Sequence, residues 1–527
     1  MRLSAERQML MDSTERLASA LRLLESGCWQ QAAAAAQAVL AADPDDVPAA
    51  RLSGLAIAAM GEADRAAPLL ARAAARPDAR HPCLDLAALT PPLPHTLVVR
   101  QFRACLALSP SDHRLRRIFA EYLLDSDDDE AAEAVLADMP GDAVTHHLKG
   151  MARAAQGRYA SAIGSFKLAV ALDPGAAASW SNLGIVLKAD GQFQRAIAAH
   201  DRAVTLQPDN PQFRVNRAVA LLHAGAWEQA WPDFEHRLDL VETPGFDRAR
   251  LMPSLAAGDS LAGRTILALH EDGFGDTLQF LRYLPLLAER GATVIACVPP
   301  ALERVMRLVP GVAAVVTDAG RSPAHDHVCP MFSLPRVFGS TIDTIPPVPR
   351  LAFDPPPRPS GTQPRVGLVW AGQARPYLPG FRALDRQRSA GLAAFAPLAA
   401  LTGVRFVSLQ MGPTARQPAP PGLVLEDAMA EVTDFLDTAR VIAGLDAVVS
   451  VDTSVVHLAG LVGKPVLLLD RYDGCWRWLY GRADSPWYPN LRIFRQEQPG
   501  DWSAPMARIA AALEARSAFC GFVADPT

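Results

Sequence analysis

Asp276 closes the stretch His-Glu-Asp-Gly-Phe-Gly-Asp (270–276), where an apolar run, Ile266 to Leu269, gives way to an amphipathic helical pattern. Two residues without a Cβ, Gly273 and Gly275, sit in this strand-to-helix turn, and a carboxylate stands at the mouth of the helix. Such an acid can cap the helix or take part in proton transfer, because both tasks need the same exposed position. Gln279 and Arg282 follow three and six residues on and would share its side of the turn. A second reactive run, Ser-Val-Asp-Thr-Ser-Val-Val-His (450–457), also reads strand, turn, helix. It places the hydroxyls of Thr453 and Ser454 at a helix N-terminus, whose free N–H groups favour phosphate. His457 lies one turn beyond Thr453 on the same face, and Asp452 is expected to cap that helix. Trp370 and Gln373 bound a third run, Trp-Ala-Gly-Gln, and Arg386 and Arg388 stand in Asp-Arg-Gln-Arg-Ser, read as a polar loop able to add positive charge. No Gly-x-x-x-x-Gly-Lys-Ser/Thr occurs, which weighs against an ATPase, and Gly-Phe-Gly-Asp is not a dinucleotide fingerprint.

The elements that must hold these residues are short β-rich runs alternating with helices from about Arg264. They are 265–269, 293–298 and 312–317, then, past the Pro-rich stretch 344–364, runs 365–370, 404–410, 446–452 and 465–470. Alternation of this kind implies parallel sheets. Two small Rossmann-like domains are expected to bind ligands between them, at the carboxyl ends of their strands, which is where all three reactive runs lie. The aromatic group Trp476, Trp478, Trp487 and Tyr488 reads first as core and second as a stacking surface for a sugar or base. Lys464, before Pro465, reads as a surface residue.

Ahead of this lies a periodic region. Prolines that end helical runs fall at Pro44, Pro77, Pro110, Pro140, Pro174 and Pro208, separated by 33, 33, 30, 34 and 34 residues. Gly157, Gly191 and Gly225 are 34 apart, as are Gly27 and Gly61. The runs 157–174 and 191–208 nearly superimpose, with Ala162, Ala169, Ala196 and Ala203 as small residues for close helix packing. This resembles the tetratricopeptide repeat, an α-solenoid whose concave groove binds peptides or proteins. The stretch 80–140 is irregular. Asp-Ser-Asp-Asp-Asp-Glu (125–130) lacks the interleaving and glycine of a calcium loop and reads as a solvated turn.

At 527 residues, with half of them hydrophobic and a net charge of −5, the chain reads as a multidomain globular protein with no general pull towards nucleic acid. No apolar run approaches the ~20 residues of a transmembrane segment, and the polar N-terminus resembles neither a signal nor a transit peptide. Seven scattered cysteines without a C-x-x-C pair imply free thiols and no zinc site. The expected location is cytoplasmic.

Three further runs carry a more specific likeness: 271–285, 434–466 and 476–496. Together they resemble bacterial tetratricopeptide-repeat proteins with a glycosyltransferase domain related to heptosyltransferases and, more distantly, to O-GlcNAc transferases. The resemblance implies an α + α/β chain: a repeat array at 1–245, an acceptor-side half of a GT-B-like pair at 260–345, a linker at 346–364 and a donor-side half at 365–515. The first half is short for such a fold. The implied activity is inverting transfer of a sugar from a nucleotide-sugar donor to a protein acceptor held by the array, with flagellin a candidate, and with neither metal nor cofactor. Asp276 would be the base, with Gly273 and Gly275 giving the acceptor close approach and Gln279 and Arg282 lining its side. Thr453, Ser454, His457, Arg386, Arg388, Trp370 and Gln373 would hold the donor. A scaffold that has lost activity and a transferase acting on lipopolysaccharide core are the competing readings.

Overall fold

The structure, a computed structural model, describes residues 2–74, 82–89, 92–240, 246–353, 363–373 and 379–515, with side chains placed from residue 13 and, in the last stretch, from residue 384. Pro77, Cys520, the array residues 241–245 and the linker residues 354–362 lie outside the described residues. The chain divides into two compact units, Met1–Pro174 and Gly175–Thr527.

The first unit is built from antiparallel helix pairs such as Val47–Ala59 with Ala63–Ala74 and Ala143–Ala155 with Tyr159–Leu172. Each turn inside a pair needs a left-handed residue. Gly27, Gly61 and Gly157 supply it, with φ of 77, 85 and 72°. In the irregular stretch the same job falls to Asp127, at φ 62°, so the acidic run 125–130 is the turn joining His113–Asp125 to Asp129–Leu136. That second helix has only 8 residues where Tyr159–Leu172 has 14, which accounts for the shortened proline spacing. Asp46, Asp112 and Asp142 cap the first helices of their pairs through bonds to the amides of Ala49, Leu115 and Thr145. A second glycine register sets helix approach: a Cβ on Gly54 would lie 2.6 Å from Leu70, and one on Gly150 2.8 Å from Phe166.

The second unit opens with two more pairs, Ala177–Ala189 with Phe193–Leu206 and Pro211–His223 with Trp227–Phe234. The last helix is fused to the α/β region through an aromatic cluster. Trp227 stacks on Trp487 at 5.4 Å and Trp231 donates its indole N–H to the Ser340 carbonyl at 2.7 Å. One continuous apolar core therefore runs from Ala218 in the repeats to Ile493 in the last strand.

Two parallel sheets make up that region. The first holds β1 (Thr265–Leu269), β2 (Thr293–Cys297), β3 (Val312–Val316) and β4 (His327–Pro330), in the order β3-β2-β1-β4. The second holds β5 (Arg365–Val369), β6 (Arg405–Ser408), β7 (Leu425–Asp427), β8 (Ala447–Val451), β9 (Val466–Asp470) and β10 (Leu491–Arg495), in the order β10-β9-β8-β5-β6-β7. Renumbered within its domain, the second order is the full doubly wound sequence and the first is its four-strand beginning. The short first half expected from the sequence is thus a Rossmann-like sheet ending at its fourth strand. The outer edge of β4 is covered by the chain at Leu251–Met252, with the Met252 amide donating to the Val328 carbonyl at 2.9 Å. The seven runs read as strands all form; β4, β7 and β10 complete the sheets.

Candidate active site

In a doubly wound sheet the crevice opens where the strand order reverses, outside the carboxyl ends. Those points are β1/β4 in the first sheet and β5/β8 in the second. The loop after β1 carries 270–276, the loop after β5 carries Trp370–Gln373, and the loop after β8 carries Asp452–Ser454.

The first loop is strained at Asp272, whose φ of 57° puts a non-glycine residue in the left-handed region. Gly273 is the N-cap of the Phe274–Phe280 helix, and Asp276 folds back so that its Oδ2 accepts from the Gly273 amide at 3.1 Å. A Cβ on Gly273 would lie 2.9 Å from that oxygen. Gly275 has a different purpose: its Cβ would meet His457 Cδ2 at 3.0 Å and Ser454 Cα at 3.4 Å. The second glycine therefore admits the helix of the neighbouring domain, where the sequence reading reserved that space for the acceptor.

Asp276 turns its other oxygen, Oδ1, to the guanidinium of Arg477. The carboxylate is 18 % exposed and its partner 13 %. Burial pushes its pKa up to about 6; Arg477 pulls it down, Asp272 up, the Gly273 amide down and Asp452 up. Arg477 also donates to Gln279 Oε1 at 2.6 Å and to Cys475 Sγ at 2.9 Å.

Opposite stands the helix Ser454–Val462. Its N-cap is Thr453, whose hydroxyl lies 3.2 Å from that of Ser450 and forms no bond over the helix end. The N-cap position expected of Asp452 is thus displaced by one residue, and no side chain caps the helix mouth. His457 is 3 % exposed, stacks on Trp478 at 5.4 Å, and shares a 3.1 Å bond between Nδ1 and the Tyr488 hydroxyl. Burial, then Arg477 and Arg282, hold its pKa well below the ordinary histidine value, so the imidazole is neutral.

Arg282 and Gln279 do not line an open surface. Arg282 is 2 % exposed, lies over Trp487 and Tyr488, and donates to the carbonyls of Pro346 and Trp487 at 3.1 and 2.9 Å. It clips the first sheet's helix to the second domain. Gln279 is buried, with Nε2 unpartnered. Arg386 and Arg388 belong to the helix Pro379–Arg388 and not to a loop. Arg388 bonds the Gln373 carbonyl at 3.0 Å, pairs with Asp385 at 3.0 Å, and fills the space over Gly372 where a Cβ would sit 2.6 Å away. Arg386 faces outward. Trp370 is buried and forms one wall of a cavity of about 350 Å³. Ser408, Gln410, Gln417, Asp427 and Met429 complete much of that lining, at the carboxyl ends of β6 and β7.

Residues 17–82, 147–211 and 181–237 match the tetratricopeptide-repeat family. The N-terminal half is a tetratricopeptide-repeat array. Later in the chain come two Rossmann-like sheets whose carboxyl-end loops meet, a GT-B-like plan. Protein FlbA of Caulobacter vibrioides is 26% identical over 351 residues, a match covering 58% of this chain and 55% of FlbA, so the chain spans about half that relative's length. Among solved structures, E. coli heptosyltransferase WaaC with ADP-2-deoxy-2-fluoro heptose is 14% identical, at a TM-score of 0.34, covering 48% of this chain and 99% of its own. An O-GlcNAc transferase mutant from Thermobaculum terrenum is 17% identical, at 0.25, covering 77% and 85%. Among the described residues no helix is long and apolar enough to cross a membrane.

Arg477, Glu271 and Arg237 carry weight at the site that no local sequence pattern marks strongly. Arg237, after the last repeat helix, grips Glu271 through two bonds of 2.7 and 2.9 Å and also reaches Ser333 at 2.9 Å, tying the array's end to the loops after β1 and β4. Arg477 had one visible signal: a cation between two tryptophans, Trp-Arg-Trp, inside the aromatic run.

Proposed function

We propose that the protein is a glycosyltransferase of inverting type, moving a sugar from a nucleotide-sugar donor to a protein held by the repeat array. One observation carries this reading: Asp276 and the mouth of the Ser454–Val462 helix are brought together by contact of Gly275 with Ser454 and His457. A base on one side and an anion-binding helix end on the other are what a single displacement at an anomeric carbon needs. The acceptor hydroxyl gives its proton to Asp276 as its oxygen bonds to the anomeric carbon. The bond to the nucleotide's phosphate breaks, and the charge that grows there is met by Thr453, Ser454 and the helix N-terminus, so the transfer calls for no metal ion. His457, neutral and packed, supports that helix. The cavity beside Trp370 and Gln410 is the place for the donor's nucleoside. The array supplies the acceptor surface; flagellin is one candidate. Transfer to lipopolysaccharide core would leave a peptide groove without a purpose.

The test is thermal unfolding with ADP, UDP, GDP, CDP and CMP in turn. A nucleotide at about 100 times its Kd stabilises the folded state by roughly 2.7 kcal/mol. The expected result is a shift with one of them that Ser454→Ala combined with Thr453→Ala abolishes. No shift with any nucleotide would favour a scaffold without transferase activity.

A further inference from the structure

Arg477 stands on the short turn Trp476–Trp478 after β9, in the second sheet's domain. Its guanidinium reaches back to the first. Nη2 donates to Asp276 Oδ1 and Nε to Gln279 Oε1 at 2.6 Å, two residues one turn apart on the same face of the Phe274–Phe280 helix. The third nitrogen, Nη1, is held by Cys475 Sγ at 2.9 Å. The flat group lies against Trp476 at 5.0 Å and Phe332 at 5.4 Å. A planar fork with every nitrogen engaged and two aromatic rings against it has one orientation, which a flexible ammonium would not have. Asp276 is fixed in turn, since its other oxygen is held by the Gly273 amide. Two residues beyond Arg477, Leu479 sits at φ 53°, ψ −176°, a region that favours glycine. Asp272, four residues before Asp276, is the matching outlier on the first domain's side. Strained backbone thus flanks the pair on both sides, as expected where surrounding packing imposes a geometry on the residues between.

We propose that Arg477 is the positioning residue of Asp276: from the donor-side domain it aims the carboxylate and keeps it ionised, so that the base is competent only while the two sheets are engaged. This rests on the reading of Asp276 as base. Gln279 serves as the second tooth of the bracket, and its buried, unpartnered Nε2 marks unfilled donor capacity beside the carboxylate.

The experiment titrates the Asp276 carboxyl in the full chain, as the infrared difference between wild type and Asp276→Asn across pH. An opposite charge in contact lowers a carboxyl by about 1–3 pH units. Arg477→Met should therefore raise the midpoint by at least about one unit, while Arg477→Lys, which keeps the charge, should stay nearer the wild-type value. If Arg477→Met does not fold, Arg477→Gln gives the same reading, since its amide can still meet Gln279 after the charge is gone. A midpoint unmoved in the uncharged variant overturns the proposal, because a merely structural arginine would change stability and leave this carboxyl where it was. The titration needs no nucleotide sugar. An intact shift without nucleotide binding would count against the transferase reading alone, and binding without the shift against Arg477 alone.

Discussion

Gly275 and His457 touch across the two α/β domains: a Cβ on the glycine would stand 3.0 Å from His457 Cδ2 and 3.4 Å from the Ser454 backbone. His457 cannot give way easily, held as it is by Trp478 and the Tyr488 hydroxyl. Gly275→Ala should therefore push the two helix ends apart by a few tenths of an ångström. The stability cost of such overpacking is about 1–3 kcal/mol. The larger effect should fall on the site, because the base and the helix mouth move relative to each other. Unfolding in urea, with and without the stabilising nucleotide, separates the two. A variant that keeps the full nucleotide shift would show that the contact does not set the site.

Asp276 gives a pH dependence with a defined sign. Its pKa is about 6 in the folded protein, raised by burial above an ordinary value of 3.8. Between those values the folded state binds more protons than the unfolded one, so this group's contribution to stability falls as pH rises from about 4 to 6, and the cost persists above. The size is on the order of 2–3 kcal/mol at about 1.4 kcal/mol per unit. Asp276→Asn should flatten that part of the stability curve. In transfer assays, kcat/KM should fall about tenfold per pH unit below about pH 6, and Asp276→Asn should cost about 10²–10⁴-fold. An acid limb that survives in the Asn variant would assign the base elsewhere.

His200 works in the opposite direction. It occupies the place that Phe166 holds in the preceding repeat, pressed on Gly184 as Phe166 is on Gly150. It is fully buried, and neither ring nitrogen finds a partner. Burial, then Lys188 and Arg217, lowers its pKa to about 3. The unfolded chain takes up the proton first, so stability is lost as pH falls from about 6.5 towards 3. His200→Phe should stabilise the second unit by about 1–3 kcal/mol, by removing an unpaired buried polar group, and should blunt its acid sensitivity. Calorimetry at pH 7 and pH 4.5 checks both; equal losses at low pH in the two proteins would rule the histidine out as the sensor.

Local signals made much of this chain legible. A left-handed turn residue, a capping Asp and a terminating Pro act within a few residues of one another, so the repeat period stands in the sequence directly. The runs at β1, β5, β8 and β9 each carry four apolar residues out of five, glycine included, and are almost wholly buried because both sheet faces are covered, which marks them as parallel strands. The strands without strong local marks are the remaining three: β4 ends on Pro330, β7 spans 3 residues, and β10 carries Arg492 and Arg495 among its apolar residues. Each is held by neighbours more than by its own composition.

By itself the sequence determined the repeat array, the alternation of strands and helices, and which loops carry a carboxylate, hydroxyls and glycines. Only the tertiary structure decided what those residues face. Gly275 and His457 are far apart in the chain, yet one needs its missing Cβ because of the other. Asp276 and Arg477, 201 residues apart, form one charged unit. Arg282, outwardly a site cation, is a buried clip, and Arg477, hidden among tryptophans, is the cation at the acid. Turn chemistry and periodicity are local and survive in a one-dimensional string. The charge state and aim of a side chain depend on burial and on partners from distant segments, which exist only once the two sheets have met.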